Sequence, residues 1–207
     1  MNLERELGKR FARVVTDAVV RRPVLWRLFR GVLRRQFDRI APRWDTMRGP
    51  DSFAPLDAAL AALEPPPRRA LDLGTGTGEA AFRIARRFPE AEVVGVDLSA
   101  GMIEQARAKA PPELAGRVRF EQGDAARLPY EDGAFDLVVL ANMIPFFDEL
   151  ARVVAPGGAV LSSFSLGSRT PIYVPPERLR EELGLRGFTE FAEFSAGSGT
   201  ALLARKR

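Results

Sequence analysis

The pattern of apolar and polar positions divides the chain near residue 64. In the first 48 residues, apolar side chains recur at the three- and four-residue spacing of amphipathic helices, and Pro23 separates two such stretches. The first stripe comprises Leu3, Leu7, Phe11, Val14, Val15 and Ala18, and the second comprises Leu25, Trp26, Phe29, Val32, Leu33, Phe37 and Ile40. A short apolar helix is predicted over Asp57–Leu63, and the prolines at 65–67 end it.

From Arg69 onward, short strand-like runs alternate with helical stretches. Strands are predicted over 70–73, 92–96, 118–121, 135–141, 159–164, 188–194 and 200–204, and helices over 79–88, 100–110, 146–154 and 177–183. This alternation predicts an α/β fold whose mostly parallel sheet carries helices on both faces. The last two strands flank a short turn that contains Gly197 and Gly199, and such turns join antiparallel strands.

Two residue types are missing from the composition, and this narrows the chemistry. The chain has no cysteine and no histidine. It therefore cannot use disulfides, a cysteine nucleophile or thiolate metal ligands, and we expect no metal site. Any proton transfer must use carboxylates, Tyr, Lys or the substrate itself. The lack of cysteine and of a signal-type segment favours a cytoplasmic location.

Charge is spread unevenly along the chain. Residues 1–48 hold 13 Arg or Lys and 5 acidic residues, a balance of +8, whereas residues 49–207 hold 18 and 22, a balance of −4. A basic arm of this kind attracts nucleic acid or an anionic membrane surface, and a general bias of the composition towards arginine would also produce it.

The stretch Leu71–Glu79 reads Leu-Asp-Leu-Gly-Thr-Gly-Thr-Gly-Glu and joins a predicted strand to a predicted helix. Glycines in such a turn allow a ligand to approach the backbone closely, and ligands of open parallel sheets bind beyond the carboxyl ends of the strands. Taken alone, the turn leaves two interpretations open. Residues 76–81 also match G-x-G-x-x-A, which is typical of nicotinamide dinucleotide sites.

Three carboxylates near the glycine turn separate these interpretations in part. Asp72 lies two residues before the first glycine, where a dinucleotide site would receive a pyrophosphate and where a carboxylate instead favours a cationic ligand. Asp97 ends the next strand and can accept both hydroxyls of a ribose, which fits either cofactor. Asp124 follows the third strand, in Gly123-Asp124-Ala125.

From about Arg69 to Lys206 the sequence resembles the class I S-adenosylmethionine-dependent methyltransferase superfamily. Five motifs in order carry the resemblance: LDLGTGTGEA, VVGVDLS, QGDA, FDLVVLANMIPFF and VVAPGGAV. Ala155 stands where lysine is common in the last of them. The resemblance implies a Rossmann-like, doubly wound, seven-stranded and mostly parallel sheet with an antiparallel last strand, preceded here by N-terminal helices. We predict a helical lid or arm over residues 1–64 and a methyltransferase domain over residues 65–207.

The same resemblance implies how S-adenosylmethionine is bound. Asp97 would hold the ribose and Asp124 the adenine amino group. The methionine part would be seated on the glycine turn, and side chains of the second and third motifs would lie beside the adenine. These further residues are Asp72, Gly74, Thr75, Gly76 and Gly78 for the methionine part, and Leu98, Met102 and Ala125 for the adenine.

Two other predicted cofactor contacts lie outside the glycine turn. Phe37–Asp45 resembles the F-D-x-x-A-x-x-Y-D segment of small-molecule methyltransferases related to quinone methylation, with Trp44 where tyrosine is usual. In those relatives the segment closes over the cofactor, so the Trp44 ring would face the sulfonium through a cation–π contact, or serve as a core anchor. Asn142, just after the fourth strand, would lie beside the sulfonium or the methionine amine, or cap the strand end.

We therefore predict an enzyme that moves a methyl group to the oxygen or carbon of a small, hydrophobic acceptor. The apolar residues Trp26, Phe29, Phe37, Ile172 and Tyr173 would wall its pocket, and no catalytic base or oligomeric state is predicted. Two alternatives stay open: an NAD(P)-dependent oxidoreductase, and a nucleic-acid methyltransferase docked through the basic arm. Asn142-Met143-Ile144-Pro145 differs from the Asn/Asp-Pro-Pro-Tyr motif of nucleic-acid enzymes that methylate amino groups, which argues against N-methylation of adenine or glutamine and, less strongly, against DNA. The basic N-terminal helices suggest peripheral contact with a membrane.

Overall fold

The fold is described from a computed structural model that covers the backbone of residues 2–207 and the side chains of residues 8–207. Leu3 and Leu7, predicted on the first apolar stripe, have side chains outside the described residues. The helices are α1 (Asn2–Arg21), α2 (Trp26–Ile40), α3 (Ala54–Ala61), α4 (Glu79–Arg87), α5 (Ala100–Ala108), α6 (Phe147–Val153) and α7 (Pro176–Gly184). The strands are β1 (Arg69–Leu73), β2 (Glu92–Asp97), β3 (Val118–Gln122), β4 (Phe135–Ala141), β5 (Val154–Phe164), β6 (Phe188–Ala196) and β7 (Gly199–Lys206).

Seven strands form one sheet in the order β3-β2-β1-β4-β5-β7-β6. The strands from β3 to β5 pair in parallel, and β7 is antiparallel to both of its neighbours, β5 and β6. The predicted α/β class, the seven strands and the antiparallel last strand are thus confirmed. Parallel strands end at one edge of the sheet, so the carboxyl ends of β1, β2 and β3 lie side by side.

The sheet has a core on each face, because successive side chains of a strand point to opposite sides. Leu71 and Leu73 of β1 belong to one buried cluster, whereas Ala70 belongs to the other. The first cluster is completed by residues of α1, α2, α6 and α7, and the second by residues of α3, α4 and α5. This is the double layering that the alternation of strands and helices predicted.

The N-terminal helices pack on the first face of the sheet. Val15, Val19 and Trp26 are buried in the same cluster as the strand residues. The Arg13 guanidinium donates to the carbonyls of Ser168 and Thr170, both at 2.9 Å, and so ties α1 to the loop after β5. No helix of the described residues is long and apolar enough to cross a membrane.

The start of β5 differs from the prediction. It was expected at Ala159, but pairing with β4 begins at Val154, opposite Phe135, and resumes at Ala159 after a shift in register. Gly157 lies between these two pairs with a φ of 76°, a conformation that favours glycine. The turn at Gly157 and Gly158 therefore lies within β5.

Candidate active site

The glycine turn after β1 is held against the end of β2. The amides of Gly74 and Thr75 both donate to the Val96 carbonyl, at 2.8 and 3.0 Å. The amide of Gly76 donates to the Asp97 carboxylate at 2.9 Å. These contacts fix Asp97 beside the turn, so the acids predicted at the ends of β1 and β2 lie at one place.

Asp72 is fully buried at the end of β1. One carboxylate oxygen accepts a hydrogen bond from the Thr75 hydroxyl at 2.6 Å, and the other, Oδ1, has no hydrogen-bond partner. Burial raises the pKa of Asp72 to about 6, although the Thr75 hydrogen bond acts in the opposite direction. Thr75 is itself buried, and its hydroxyl holds Asp72.

Asp97 joins the glycine turn to the start of α5. Its carboxylate accepts from the amides of Gly76 and Ser99, both at 2.9 Å. Burial raises the pKa of Asp97, against the effect of these two amides, and the nearby charge of Asp38 raises it further. Asp38 belongs to α2 and accepts from the Ser99 hydroxyl at 2.6 Å and the Gly101 amide at 3.1 Å, so α2 reaches the second motif.

Gly74 and Gly76 each have a positive φ and make close approaches to side chains above the turn. A Cβ at Gly74 would lie 2.6 Å from the Met143 sulfur, and a Cβ at Gly76 would lie 3.1 Å from the Trp44 indole nitrogen. Gly78 differs, because a Cβ there would meet the Phe120 ring at 2.7 Å. The first two glycines therefore open towards the predicted ligand side, whereas Gly78 permits packing within the core.

The Trp44 ring lies over the glycine turn and contacts other residues of the protein. It meets Phe37 edge-on, with ring centroids 5.6 Å apart, and the Arg48 guanidinium carbon lies 5.2 Å from its centroid. Arg48 is thus a cation that already lies at this ring, and contact of the ring with the sulfonium stays a prediction. The indole nitrogen is buried without a hydrogen-bond partner.

Asp124 is bound by the N-terminal segment. Its carboxylate accepts from the Trp26 indole nitrogen at 2.7 Å and from Arg30 at 3.0 Å. The sequence placed Trp26 on an apolar stripe and gave no sign that its nitrogen meets the third motif. Of the predicted adenine neighbours, Met102 and Ala125 are buried, and Leu98 is partly buried.

Asn142 adopts a positive φ of 55°, which is uncommon for a residue other than glycine. Its side-chain oxygen accepts from the Ser165 amide at 2.9 Å, and its own amide donates to the Ser163 carbonyl at 2.8 Å. The side chain thus joins the carboxyl ends of β4 and β5. This is the strand-end contact that the sequence suggested, and a contact of Asn142 with the cofactor stays a prediction.

Hydrogen bonds of Asp45, which the sequence did not predict, fix the segment after α2. The Asp45 carboxylate accepts from the Thr77 hydroxyl at 2.6 Å and from the Lys109 ammonium at 2.7 Å. Burial opposes ionisation of Asp45, but the bonds from Lys109 and Thr77 outweigh it and lower its pKa. Asp45 is the last residue of the segment that resembles F-D-x-x-A-x-x-Y-D. This resemblance was the feature of the sequence from which a role for Asp45 could have been predicted.

The donor and acceptor groups at this site fit S-adenosylmethionine. A buried carboxylate with a free oxygen suits an ammonium or a sulfonium, and it would repel a pyrophosphate. The open glycines Gly74 and Gly76 allow the backbone to approach a ligand. The Met143 sulfur lies 2.6 Å from the position of a Cβ on Gly74, so a ligand above that glycine requires the Met143 side chain to adjust.

A sheet in this order, with a glycine turn after β1 and carboxylates at or just after the ends of its first three strands, defines a class I methyltransferase fold. A family model described as a methyltransferase domain matches residues 70–158. Among the solved structures, a chain in the complex of the Haloferax volcanii Trm112 methyltransferase activator with a methyltransferase aligns with a TM-score of 0.68. The alignment covers 82% of this chain and 96% of that chain at 19% identity, which supports the fold alone.

Curated relatives agree with the family model. The demethylmenaquinone methyltransferase of Deinococcus radiodurans is 40% identical over 141 residues, which are 62% of this chain and 58% of that protein. The enzyme of the same name from Thermus thermophilus is 44% identical over 138 residues, 60% of this chain and 62% of that protein. This chain thus spans about three fifths of the length of these relatives. These matches support a methyltransferase domain over residues 70–158 within a class I methyltransferase fold, and the alternative of a nicotinamide-dependent enzyme is not favoured.

Proposed function

We propose that this protein transfers a methyl group from S-adenosylmethionine to the oxygen or carbon of a small, hydrophobic acceptor. The observation that carries the proposal is that Asp72, Asp97 and Asp124 lie at or just after the carboxyl ends of three adjacent strands, with Asp72 fully buried. An acidic site of this kind suits a cofactor that is cationic at sulfur and nitrogen. The similarity to demethylmenaquinone methyltransferases favours an acceptor of the quinol or phenol type.

In this proposal each carboxylate has a separate task. Asp72 with Gly74 and Gly76 seats the methionine part, Asp97 holds the ribose, and Asp124 holds the adenine. The bound cofactor supplies the activated methyl group. The contribution of the protein is then to align the acceptor and exclude water, which is sufficient for a displacement at an activated carbon.

Three candidate general bases, Asp148, Glu149 and Tyr173, are paired or stay protonated, and this suits an acceptor that is already nucleophilic. Asp148 is paired with Arg186 at 2.8 Å, and Glu149 with Arg152 at 2.8 Å. Burial raises the pKa of Tyr173, and the charges of Glu177 and Glu193 raise it further, so its phenol stays protonated at neutral pH. An enol, a phenol or an activated carbon loses its proton readily and needs less help.

The acceptor would lie between the N-terminal helices and the loop after β5. Trp26 is buried in the first cluster, and the other four predicted wall residues, Phe29, Phe37, Ile172 and Tyr173, pack against it. We therefore take residues 1–64 as a lid and residues 65–207 as the catalytic domain, although α3 packs against the far face of the sheet. An apolar wall favours an apolar acceptor.

The outer face of α2 supports a further part of the proposal, peripheral contact with an anionic membrane. Leu28 and Val32 of α2 are 70% and 47% exposed, and Val24 just before the helix is 65% exposed. Exposed arginines, including Arg27 and Arg35, adjoin them. Apolar side chains flanked by basic ones are typical of helices that lie in a membrane interface. Such contact would bring the enzyme to a lipid-soluble acceptor, and a cytoplasmic location stays a prediction.

Ligand-dependent melting tests the cofactor assignment. S-adenosylhomocysteine, the demethylated product, should raise the melting temperature and NADH should not, since a ligand at about 100 times its Kd stabilises by about 2.7 kcal/mol. Asp97→Asn should lose most of this rise, whereas replacing the exposed Asp17 with Asn should keep it. A rise with NADH alone would overturn the assignment.

A further inference from the structure

Among the side chains that the structure describes, three buried nitrogen or oxygen atoms have no hydrogen-bond partner. They are the indole nitrogen of Trp44, the Nη1 atom of Arg48 and the Oδ1 atom of Asp72. Buried polar atoms without partners are uncommon because each one costs stability. Here all three belong to the same site, and they comprise two donors and one acceptor.

Distances tie the two donors to the glycine turn. The Trp44 nitrogen lies 3.1 Å, and the Arg48 Nη2 atom 3.3 Å, from the position that a Cβ on Gly76 would take. The nearest carboxylate oxygen reported for Arg48 Nη1 belongs to Asp45 and is 3.8 Å away, too far for a hydrogen bond. The Trp44 indole nitrogen and the Arg48 guanidinium, which carries the second free donor, therefore border the space above Gly76.

The guanidinium of Arg48 is held in place by its surroundings. Its central carbon lies 5.2 Å from the Trp44 ring centroid and 5.0 Å from the Phe53 centroid. Burial lowers the pKa of Arg48, while the charges of Asp45, Asp72 and Glu79 raise it. An arginine stays charged in proteins, so the site contains a fixed cation within the electrostatic reach of the buried Asp72.

We propose that Arg48 and Trp44 bind the carboxylate, and Asp72 the ammonium, of the amino-acid part of the cofactor. The proposal rests on the proposed function and adds two donors that belong to the segment after α2. An α-amino acid carries one anionic and one cationic group a few bonds apart, and so complements two free donors and one free acceptor. A pyrophosphate would satisfy the donors, but Asp72 would repel it.

The test compares two ligands that differ only in the amino-acid part. S-adenosylhomocysteine carries the zwitterion, whereas methylthioadenosine keeps the adenine, ribose and thioether and lacks it. Calorimetry on the full chain should show tighter binding of S-adenosylhomocysteine. Arg48→Gln should weaken S-adenosylhomocysteine by about tenfold to hundredfold, the range expected for a hydrogen bond to a charged group, and leave methylthioadenosine unchanged.

Matched variants separate the donors from the general packing of the segment. Trp44→Phe keeps a ring but removes the donor, and should also weaken S-adenosylhomocysteine alone. Arg43→Gln changes an exposed arginine of the same segment and should alter neither ligand. Methylthioadenosine binding reports whether each variant has kept the fold of the site.

Failure of the carboxylate assignment and failure of the cofactor assignment give different results. If Arg48→Gln weakens both ligands equally, or neither, the carboxylate assignment is wrong while the cofactor assignment stands. If the unaltered protein binds neither ligand, the proposed function fails, and the carboxylate assignment fails with it.

Discussion

Asp72 occupies a position where burial acts against its ionised form. Its pKa of about 6 compares with 3.8 for an unperturbed aspartate, so between these values the folded chain binds more protons than the unfolded chain. Stability therefore falls as pH rises from about 4 to about 6, and stays at the lower level above that range. The difference of roughly two pKa units corresponds to about 3 kcal/mol.

Because the buried charge of Asp72 lowers stability above about pH 6, removing that charge in Asp72→Asn should stabilise the protein in the absence of ligand. Asparagine keeps the shape of the side chain and carries no charge, so the variant should be more stable than the parent by up to about 3 kcal/mol at pH 7.5. Near pH 4 the gain should be small, because aspartate is then protonated in the folded chain. Urea unfolding at the two pH values measures the difference.

The exposed Asp17 provides the control for this experiment, since Asp17→Asn removes a charge without removing a buried one. The Asp72→Asn variant should also bind S-adenosylhomocysteine more weakly. The buried charge would then lower the stability of the protein and strengthen ligand binding. A stability difference independent of pH would show that burial of the charge is not its cause.

At the scale of elements, the sequence predicted those features that depend on local pattern. Each strand from Arg69 onward was expected within a few residues of its place, because apolar runs and turn residues mark strands directly. The interruption of β5 was missed, since the pairing of Val154 with Phe135 is a contact between distant parts of the chain. The contact of Trp26 with Asp124 was missed for the same reason.

If the outer face of α2 contacts a membrane, replacing its exposed apolar side chains should weaken binding to vesicles. Leu28→Asp combined with Val32→Asp replaces two exposed apolar side chains with anions, so the fold should persist. Binding to vesicles of mixed phosphatidylglycerol and phosphatidylcholine should fall by at least about tenfold, because both apolar burial and charge attraction are lost. Sedimentation with vesicles measures the bound fraction.

Leu185, which is 78% exposed beyond α7, gives the matched control. Leu185→Asp should leave vesicle binding unchanged, and binding of the parent protein should weaken as salt is raised. If the variant of α2 and the control bind equally well, the membrane is not the partner of α2.

At the scale of the whole molecule, residues 26–48 connect the three motifs of the site. Asp38 reaches Ser99, Asp45 reaches Thr77, and Trp26 reaches Asp124. The third of these contacts uses the same carboxylate that the proposal assigns to the adenine amino group. Cofactor binding would then exchange the bonds from Trp26 and Arg30 for bonds from the ligand, and the exchange reduces the net affinity.

Removing the competing donors should therefore tighten binding. The combined variant Trp26→Phe and Arg30→Gln loses both hydrogen bonds to Asp124. It keeps an aromatic ring at position 26, where the Trp26 ring packs edge-on against Phe146 with centroids 5.3 Å apart. Calorimetry should show S-adenosylhomocysteine binding about threefold to tenfold more tightly, since a partly exposed pair contributes about 1 kcal/mol. Replacing the exposed Arg34 with Gln should have no effect. Weaker binding in the combined variant would instead mean that Trp26 and Arg30 hold Asp124 in its binding position.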